Sequence, residues 1–367
     1  MPAPLDEYPI HQTPLSMAQV DTSDKNFYDR SYLNAINPDG DLFLVSGFGV
    51  YPNLGVVDAF AIARKGDRQW AVRFSDALEH RSLDLAVGDY RIEVVEPLCR
   101  LRVVCGGDDG GLGFDLTWEA TCAAVQEPPH LMMSSTRPIL DASRFAQTGA
   151  WSGTIAVDGE DVSVTPDRWM GTRDRSWGIR PVGDPDPAGR TAEAPTEGFW
   201  WLYLPLRFEG FSIIVIAQEN PDGFRILNDA TRIWDDGRIE QLGWPRIDID
   251  YRSGTRRPDA ATIHLTDRTG TPVTIALTTR DGMALHVGGG YGGDPDWSHG
   301  QWRGRGWVSR TVYDLTDPAV AGRIPYGVNE YPTIADCDGV HGVGMFEHGC
   351  FGRHDPSGFA DWSSVAP

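Results

Sequence analysis

Apolar residues in this chain come in short runs, each cut off by glycine, proline or aspartate. The longest, FSIIVIA at Phe211–Ala217, has the length of one strand and is far too short for a membrane-spanning helix. Other runs have the same form: DLFLVSGFGVY (Asp41–Tyr51), DAFAIARKGDRQWAVRF (Asp58–Phe74) and DYRIEVVEPLCRLRVVC (Asp89–Cys105). In the second, Lys65–Asp67 (KGD) stands between two β-like runs and signals a hairpin. The third alternates, with Tyr90, Ile92 and Val94 on one face, until Val95 breaks the pattern and Pro97 marks a bend. VDGEDVSV and DRTGTPV read as further tight turns. Helical periodicity is nearly missing, and Leu131–Gln147 (LMMSSTRPILDASRFAQ) could hold only a turn or two. This pattern predicts an all-β chain with few short helices: antiparallel sandwiches or barrels, two of them given 367 residues. The Pro-, Gly- and Ala-rich segment Pro181–Gly198 is the expected boundary, dividing the chain into residues 1–185 and 186–367, although it could equally be a long loop within one barrel.

A formal charge of −20 excludes nucleic acid and anionic membrane surfaces as natural partners, because both are polyanions. No membrane insertion is expected, and MPAPLDEYPIHQTPL has neither the basic nor the apolar region of a signal peptide, so a cytoplasmic protein is the expectation. Cys99, Cys105, Cys122, Cys337 and Cys350 form no CxxC pair and read as reduced, mostly buried thiols. A homo-dimer stays open to the chain.

Motif by motif, cofactor chemistry finds little support. Gly288, Gly290 and Gly293 in VGGGYGGD satisfy GxGxxG, but the following DPDWSHG cannot open the helix that a dinucleotide site requires. The segment reads instead as a flexible aromatic loop. His348, Cys350 and His354 in FEHGCFGRH are three possible metal ligands in nine residues, yet structural zinc needs a fourth ligand and more regular spacing. The expectation is no metal and no cofactor.

The densest charge lies in MGTRDRSWGIRP (Met170–Pro181). As a strand, it puts Arg173, Arg175, Trp177 and Ile179 on one face and Thr172, Asp174, Ser176 and Gly178 on the other. It could be an edge strand with its polar groups in water, or the polar floor of an apolar pocket. Which face would meet such a pocket depends on register, and a slip of one residue reverses it.

RDRSWGIR (Arg173–Arg180) resembles the signature of the carotenoid hydratase (hydroxyneurosporene synthase) superfamily, with its tocopherol-cyclase-like and Diels–Alderase-like members. Similar blocks are FYDRSYLNAINPDGDLFLVSGFGVYPN, FWWLYL, GYGGDPDWSHGQWRG and GVGMFEHGCFG, so the resemblance spans most of the chain. It implies two lipocalin-like β-barrel domains, an apolar cavity, a small-molecule ligand and no redox cofactor. Asp174 and Trp177 match the signature. Arg175 stands where the pattern has histidine, and arginine cannot exchange a proton near neutral pH, so a mechanism built on that histidine does not carry over.

On this reading Asp174 is a general acid/base and Arg175 an anion stabiliser. Tyr203, Glu347 and His341 are further catalytic candidates, and His348 is a second source of imidazole. Arg173, Trp177, Trp200, Trp201 and Tyr291 are expected to bind an apolar or aromatic small-molecule substrate. With no cofactor motif, the accessible chemistry is hydration–dehydration, C–C lysis, isomerisation or cyclisation of an isoprenoid or phenolic aryl compound in a barrel cavity. The competing expectation is a lipocalin-like carrier that returns its ligand unchanged. A structural or interaction protein would instead expose its aromatic strips.

Overall fold

The computed structural model describes residues 2, 4–10, 15–16, 19–80, 82–107, 111–134, 136–185 and 197–367. Among these, two curled antiparallel sheets form two lipocalin-like half-barrels. The first sheet, of fourteen described strands, runs from Trp307–Asp314 through Arg68–Ala77, Val56–Lys65, Phe43–Tyr51 and Phe27–Ile36 to Met170–Ile179 and Arg137–Val157. It continues through Gly113–Ala120, Arg100–Cys105 and Tyr90–Glu96 to Leu85–Val87, with three short strands paired to Arg137–Val157. The second sheet has ten described strands and is centred on Phe211–Glu219, Gly198–Phe208, Val340–Gly352 and Asn329–Cys337. Among the described residues helix is confined to Pro318–Ala321 and three 3-10 turns. Among the described residues no helix is long and apolar enough to cross a membrane.

The turn signals act where they stand. Gly66 adopts φ 60° between Val56–Lys65 and Arg68–Ala77, and Asp158 and Gly159 take φ 54° and 76° between Arg137–Val157 and Glu160–Val164. The pairing of Tyr90–Glu96 with Arg100–Cys105 shifts register between Val94 and Glu96, so Val95 is a bulge. Leu131–Gln147 departs from the helical expectation. His130–Ser134 and Arg137–Val157 form a β-hairpin there, because pairing along the sheet edge outweighs the local helix preference of Leu, Met and Ala. All five cysteines are free and four are buried. Trp307–Asp314, from the later half of the chain, pairs with Arg68–Ala77 and joins the first sheet. A division at 185/186 remains a proposal, since residues 186–196 lie outside those described.

Both faces of each sheet are buried where it matters, which explains the unbroken apolar runs. The concave face of the first sheet is filled by residues such as Phe74, Tyr90, Trp118 and Trp151, and that of the second by Leu202, Leu204, Ile213 and Ile275. A third apolar cluster lies between the sheets, joining Tyr32, Val45 and Met170 of the first to Trp201, Tyr203, Ile216 and Met345 of the second. The two half-barrels therefore pack through their outer faces, and that seam positions the site.

A carboxyl-floored pocket between the two sheets

Met170–Ile179 lies between Phe27–Ile36 and Arg137–Val157, with Asp174 opposite Tyr32 and Ala146, and Ser176 opposite Arg30 and Arg144. The register puts Asp174, Ser176, Arg30, Tyr32 and Arg144 on the seam face. Arg173, Arg175 and Trp177 take the opposite, concave side. There Arg173 pairs with Glu7 and donates to Gln147 at 2.8–2.9 Å, while Arg175 binds Asp29, Ser31 and the Glu7 carbonyl. The 3-10 turn Pro4–Glu7 thus reaches into the first half-barrel, where the Glu7 carboxylate neutralises Arg173 and its carbonyl accepts from Arg175. Arg175 has no role at the pocket as anion stabiliser, because Asp29 already engages its guanidinium. The motif's glycine has a steric cause: Gly178 has φ 132°, and a Cβ there would lie 2.1 Å from the Asp141 carbonyl oxygen.

In the second sheet the same alternation separates two neighbouring tryptophans. Trp200 faces the concave core, stacked on His354 with centroids 5.5 Å apart, whereas Trp201 faces the seam. His341 is 88% exposed beside Asp336, away from the seam. His348 donates from Nδ1 to the Trp201 carbonyl (2.6 Å) and meets Tyr251 Oη at Nε2 (2.9 Å) within the second half-barrel. Of the expected residues, the structure brings together Asp174, Trp201, Tyr203, Glu347 and Tyr291. Arg173, Arg175, Trp177, Trp200 and His341 lie elsewhere.

The seam opens into a cavity of about 290 Å³, walled by Phe199, Trp201, Leu285, Tyr291, Val328 and Leu140. The barrel-cavity expectation is corrected here: the half-barrel interiors hold side chains, and the lined pocket lies between them. The pocket floor is acidic. Glu330 stands directly across the sheet from Glu347, an arrangement that would be destabilising with two charges. Their proximity therefore favours a single proton held by the pair. Glu330 also accepts from the Tyr32 hydroxyl at 2.6 Å, and Glu347 from the Trp201 indole N–H at 2.5 Å. Burial raises both carboxyls, and for Glu330 the Glu347 charge adds to it.

Asp174 is raised to about 6, chiefly by burial and further by Glu347, while Arg144, Arg30 and Arg180 oppose the rise. Glu127 is raised to about 7 by burial despite its ion pair with Arg144 at 2.5 Å. The Arg144 guanidinium sits 4.9 Å from the Tyr203 ring centroid and 5.7 Å from that of Trp201. The Tyr203 hydroxyl, next to Glu127, makes no hydrogen bond of ordinary geometry among the described residues. His130 stacks on Trp201 at 5.7 Å and is lowered to about 4 by burial, which leaves it a neutral imidazole at neutral pH. The arrangement separates the roles: a protonated carboxyl pair that can give a proton, and a mostly ionised Asp174 that can take one.

Sequence reasoning missed Glu330, Glu127, Arg144, Arg30, Tyr32 and His130. Arg30 and Tyr32 carried a signal, since they alternate within FYDRSYLN in phase with the polar residues of the neighbouring strand. Glu330 carried none, because only its register against Glu347 gives it meaning. Among the described residues no group of three His, Cys, Asp or Glu side chains is placed to hold a metal ion. The glycine-rich loop is better fixed than expected. The Asp294 carboxylate, paired with Arg323, accepts from the Gly288 and Gly290 amides and so holds Tyr291 at the pocket.

The family model matching residues 3–360 covers both half-barrels and every strand of the seam. The chain belongs to a family of unknown function, DUF8625. No curated protein matches the sequence significantly. Among solved structures, an AttH-like protein of Nitrosomonas europaea shares the fold at a TM-score of 0.53 and 12% identity, over 88% of this chain and 92% of that one. Kievitone hydratase from Nectria haematococca follows at 0.48 and 13%, and CghA at 0.46 and 12%, each over 88% of both chains. The shared fold is the two-domain one that the RDRSWGIR resemblance implies.

Proposed function

We propose that the protein is a cofactor-independent enzyme of lyase or isomerase type. It would act on a largely apolar small molecule by proton transfer in the pocket between the half-barrels. The observation that carries this reading is Asp174 and Glu347 on the floor of an aromatic-walled cavity, with Glu330 buried directly behind Glu347 across the sheet. A protein that only carries an apolar ligand has no need of buried carboxyls poised to titrate, and burying them destabilises the fold.

In the proposed reaction Asp174 removes a proton from the substrate, or from a water adding to it. The Glu330–Glu347 pair returns a proton to the opposite end of the reacting bond. Trp201 and Tyr32 fix the two carboxyls through their N–H and O–H groups, and Trp201, Tyr291 and Phe199 hold the flat or apolar body. Hydration–dehydration, isomerisation, cyclisation and C–C lysis all use this sequence of a proton taken and a proton given.

The test is incubation of the pure protein, and of its Asp174→Asn and Glu347→Gln variants, with pooled isoprenoid alcohols and phenolic aryl compounds, followed by mass spectrometry. Conversion by the native protein that both variants lose supports the proposal, and the mass change (water, formaldehyde or none) identifies the reaction. A ligand retained but recovered unchanged at every pH would establish a carrier instead.

A further inference from the structure

A second chamber, of about 490 Å³, adjoins the seam pocket and shares Arg30, Arg180 and Tyr291 with it. Three arginines, Arg30, Arg137 and Arg180, line it against one carboxylate, Asp184, which accepts from the Gln301 amide at 2.8 Å. Arg30 is 7% exposed, and its guanidinium lies over the rings of Tyr291 and Tyr28 at 5.1 and 5.9 Å. Arg180, the last arginine of RDRSWGIR, covers Tyr28 from 5.6 Å. Among the described residues no carboxylate lies within ion-pair distance of either guanidinium. The third arginine of the chamber, Arg137, is tied to Asp24 at 3.7 Å.

His299 provides a second, independent observation. It is 5% exposed, lines the chamber between the rings of Phe60, Tyr291 and Trp297, and has no hydrogen bond of ordinary geometry at either ring nitrogen. Burial and the two arginines hold it well below the usual histidine range, so it is an uncharged donor. A buried Arg30 and a half-buried Arg180 with no carboxylate at ion-pair distance, beside an imidazole that makes no hydrogen bond of ordinary geometry, are costly features in a folded chain. They are rationalised together by a ligand that supplies the missing negative charge. In a protein of formal charge −20, this local reversal of sign also draws an anion to one place on the surface.

We propose that the outer chamber anchors a carboxylate of the substrate. Arg30 and Arg180 take its two oxygens, His299 donates a further hydrogen bond, and the apolar body passes Tyr291 to reach the carboxyl floor. The substrate class is therefore an organic acid with an apolar or aryl body, and neutral isoprenoid alcohols are excluded. A fork of two N–H donors suits a planar carboxylate better than a phenolate oxygen. This inference rests on the reading of the inner pocket as the reaction site.

The test compares binding of acid and amide pairs (cinnamate with cinnamamide, 4-phenylbutyrate with its amide, decanoate with decanamide) by calorimetry at low salt. The expected result is that at least one acid binds roughly 10-fold or more tightly than its amide, the worth of a charge-assisted hydrogen bond. Arg180→Gln, at a half-buried position, should bring that acid down to the affinity of its amide and leave the amide unaffected. Arg30→Lys serves as the second variant and should lose most of the preference while keeping the charge. Acids that bind no better than their amides, acids that do not bind at millimolar concentration, or a preference unchanged in Arg180→Gln would each overturn the anchor. An acid bound tightly but recovered unchanged leaves the anchor standing and removes the enzyme reading. Conversion of neutral compounds without any preference for acids does the reverse.

Discussion

Replacing Asp174 by asparagine should make the protein more stable at alkaline pH while abolishing its proposed activity. The folded carboxyl is raised from an ordinary 3.8 to about 6, so it holds its proton more tightly in the folded state than in the unfolded one. Its contribution to stability is then present in full below about pH 3.8 and is lost as the pH rises through about 6. At about 1.4 kcal/mol per pH unit, that loss is at most about 3 kcal/mol. Asp174 keeps part of its surface open to the pocket, and water reaching it there reduces the figure. Asparagine has the shape of the protonated carboxyl and does not ionise. The native protein and the variant should therefore unfold at similar urea concentrations near pH 4, diverge between about pH 4 and 7, and keep a constant gap to pH 8, with the variant the more resistant. Tryptophan fluorescence reports the transition, since Trp201 and Trp151 lie in the seam and the first core. Parallel stability curves between pH 4 and 8 would refute the burial argument, and a fully active variant would refute the role.

Three further outcomes follow from the same geometry. Glu330→Gln should fold within about 1 kcal/mol of the native protein, because an amide can still accept from Tyr32 and donate to Glu347; Glu330→Leu strands both partners and should lose about 1–3 kcal/mol for each in thermal melts. Glu7→Ala leaves Arg173 buried without its carboxylate and should cost about 3–5 kcal/mol in urea unfolding. Ligand affinity at the seam pocket should be unchanged in that variant, as Arg173 faces the other way. Gly178→Ala forces a side chain into the Asp141 carbonyl at φ 132°, so a melt should show a loss of at least about 1–3 kcal/mol from backbone strain alone.

The sequence by itself determined the all-β class, several of the turns and the alternation that splits RDRSWGIR into two faces. These are local properties: Lys65–Asp67 and Asp158–Gly159 have few alternatives, and a period of two follows from the pleat of any strand. It also supplied half of the site, because Asp174, Trp201, Tyr203, Tyr291 and Glu347 are residue types that pockets use and lie in or beside the blocks that carry the sequence resemblance. What it could not decide was which face of each strand meets the other sheet. Trp200 and Trp201 are identical in type and adjacent in sequence, yet one is core and the other a pocket wall. The arginines were misassigned for the same reason: Glu7 and Asp29 engage Arg173 and Arg175 on the concave side, and Arg180 and Arg30 are the ones left facing the pocket. Glu330 became meaningful only once cross-strand pairing set it against Glu347. Burial, register and the packing of one half-barrel on the other are long-range properties, and through them tertiary structure decided which charges are neutralised and which remain available for chemistry.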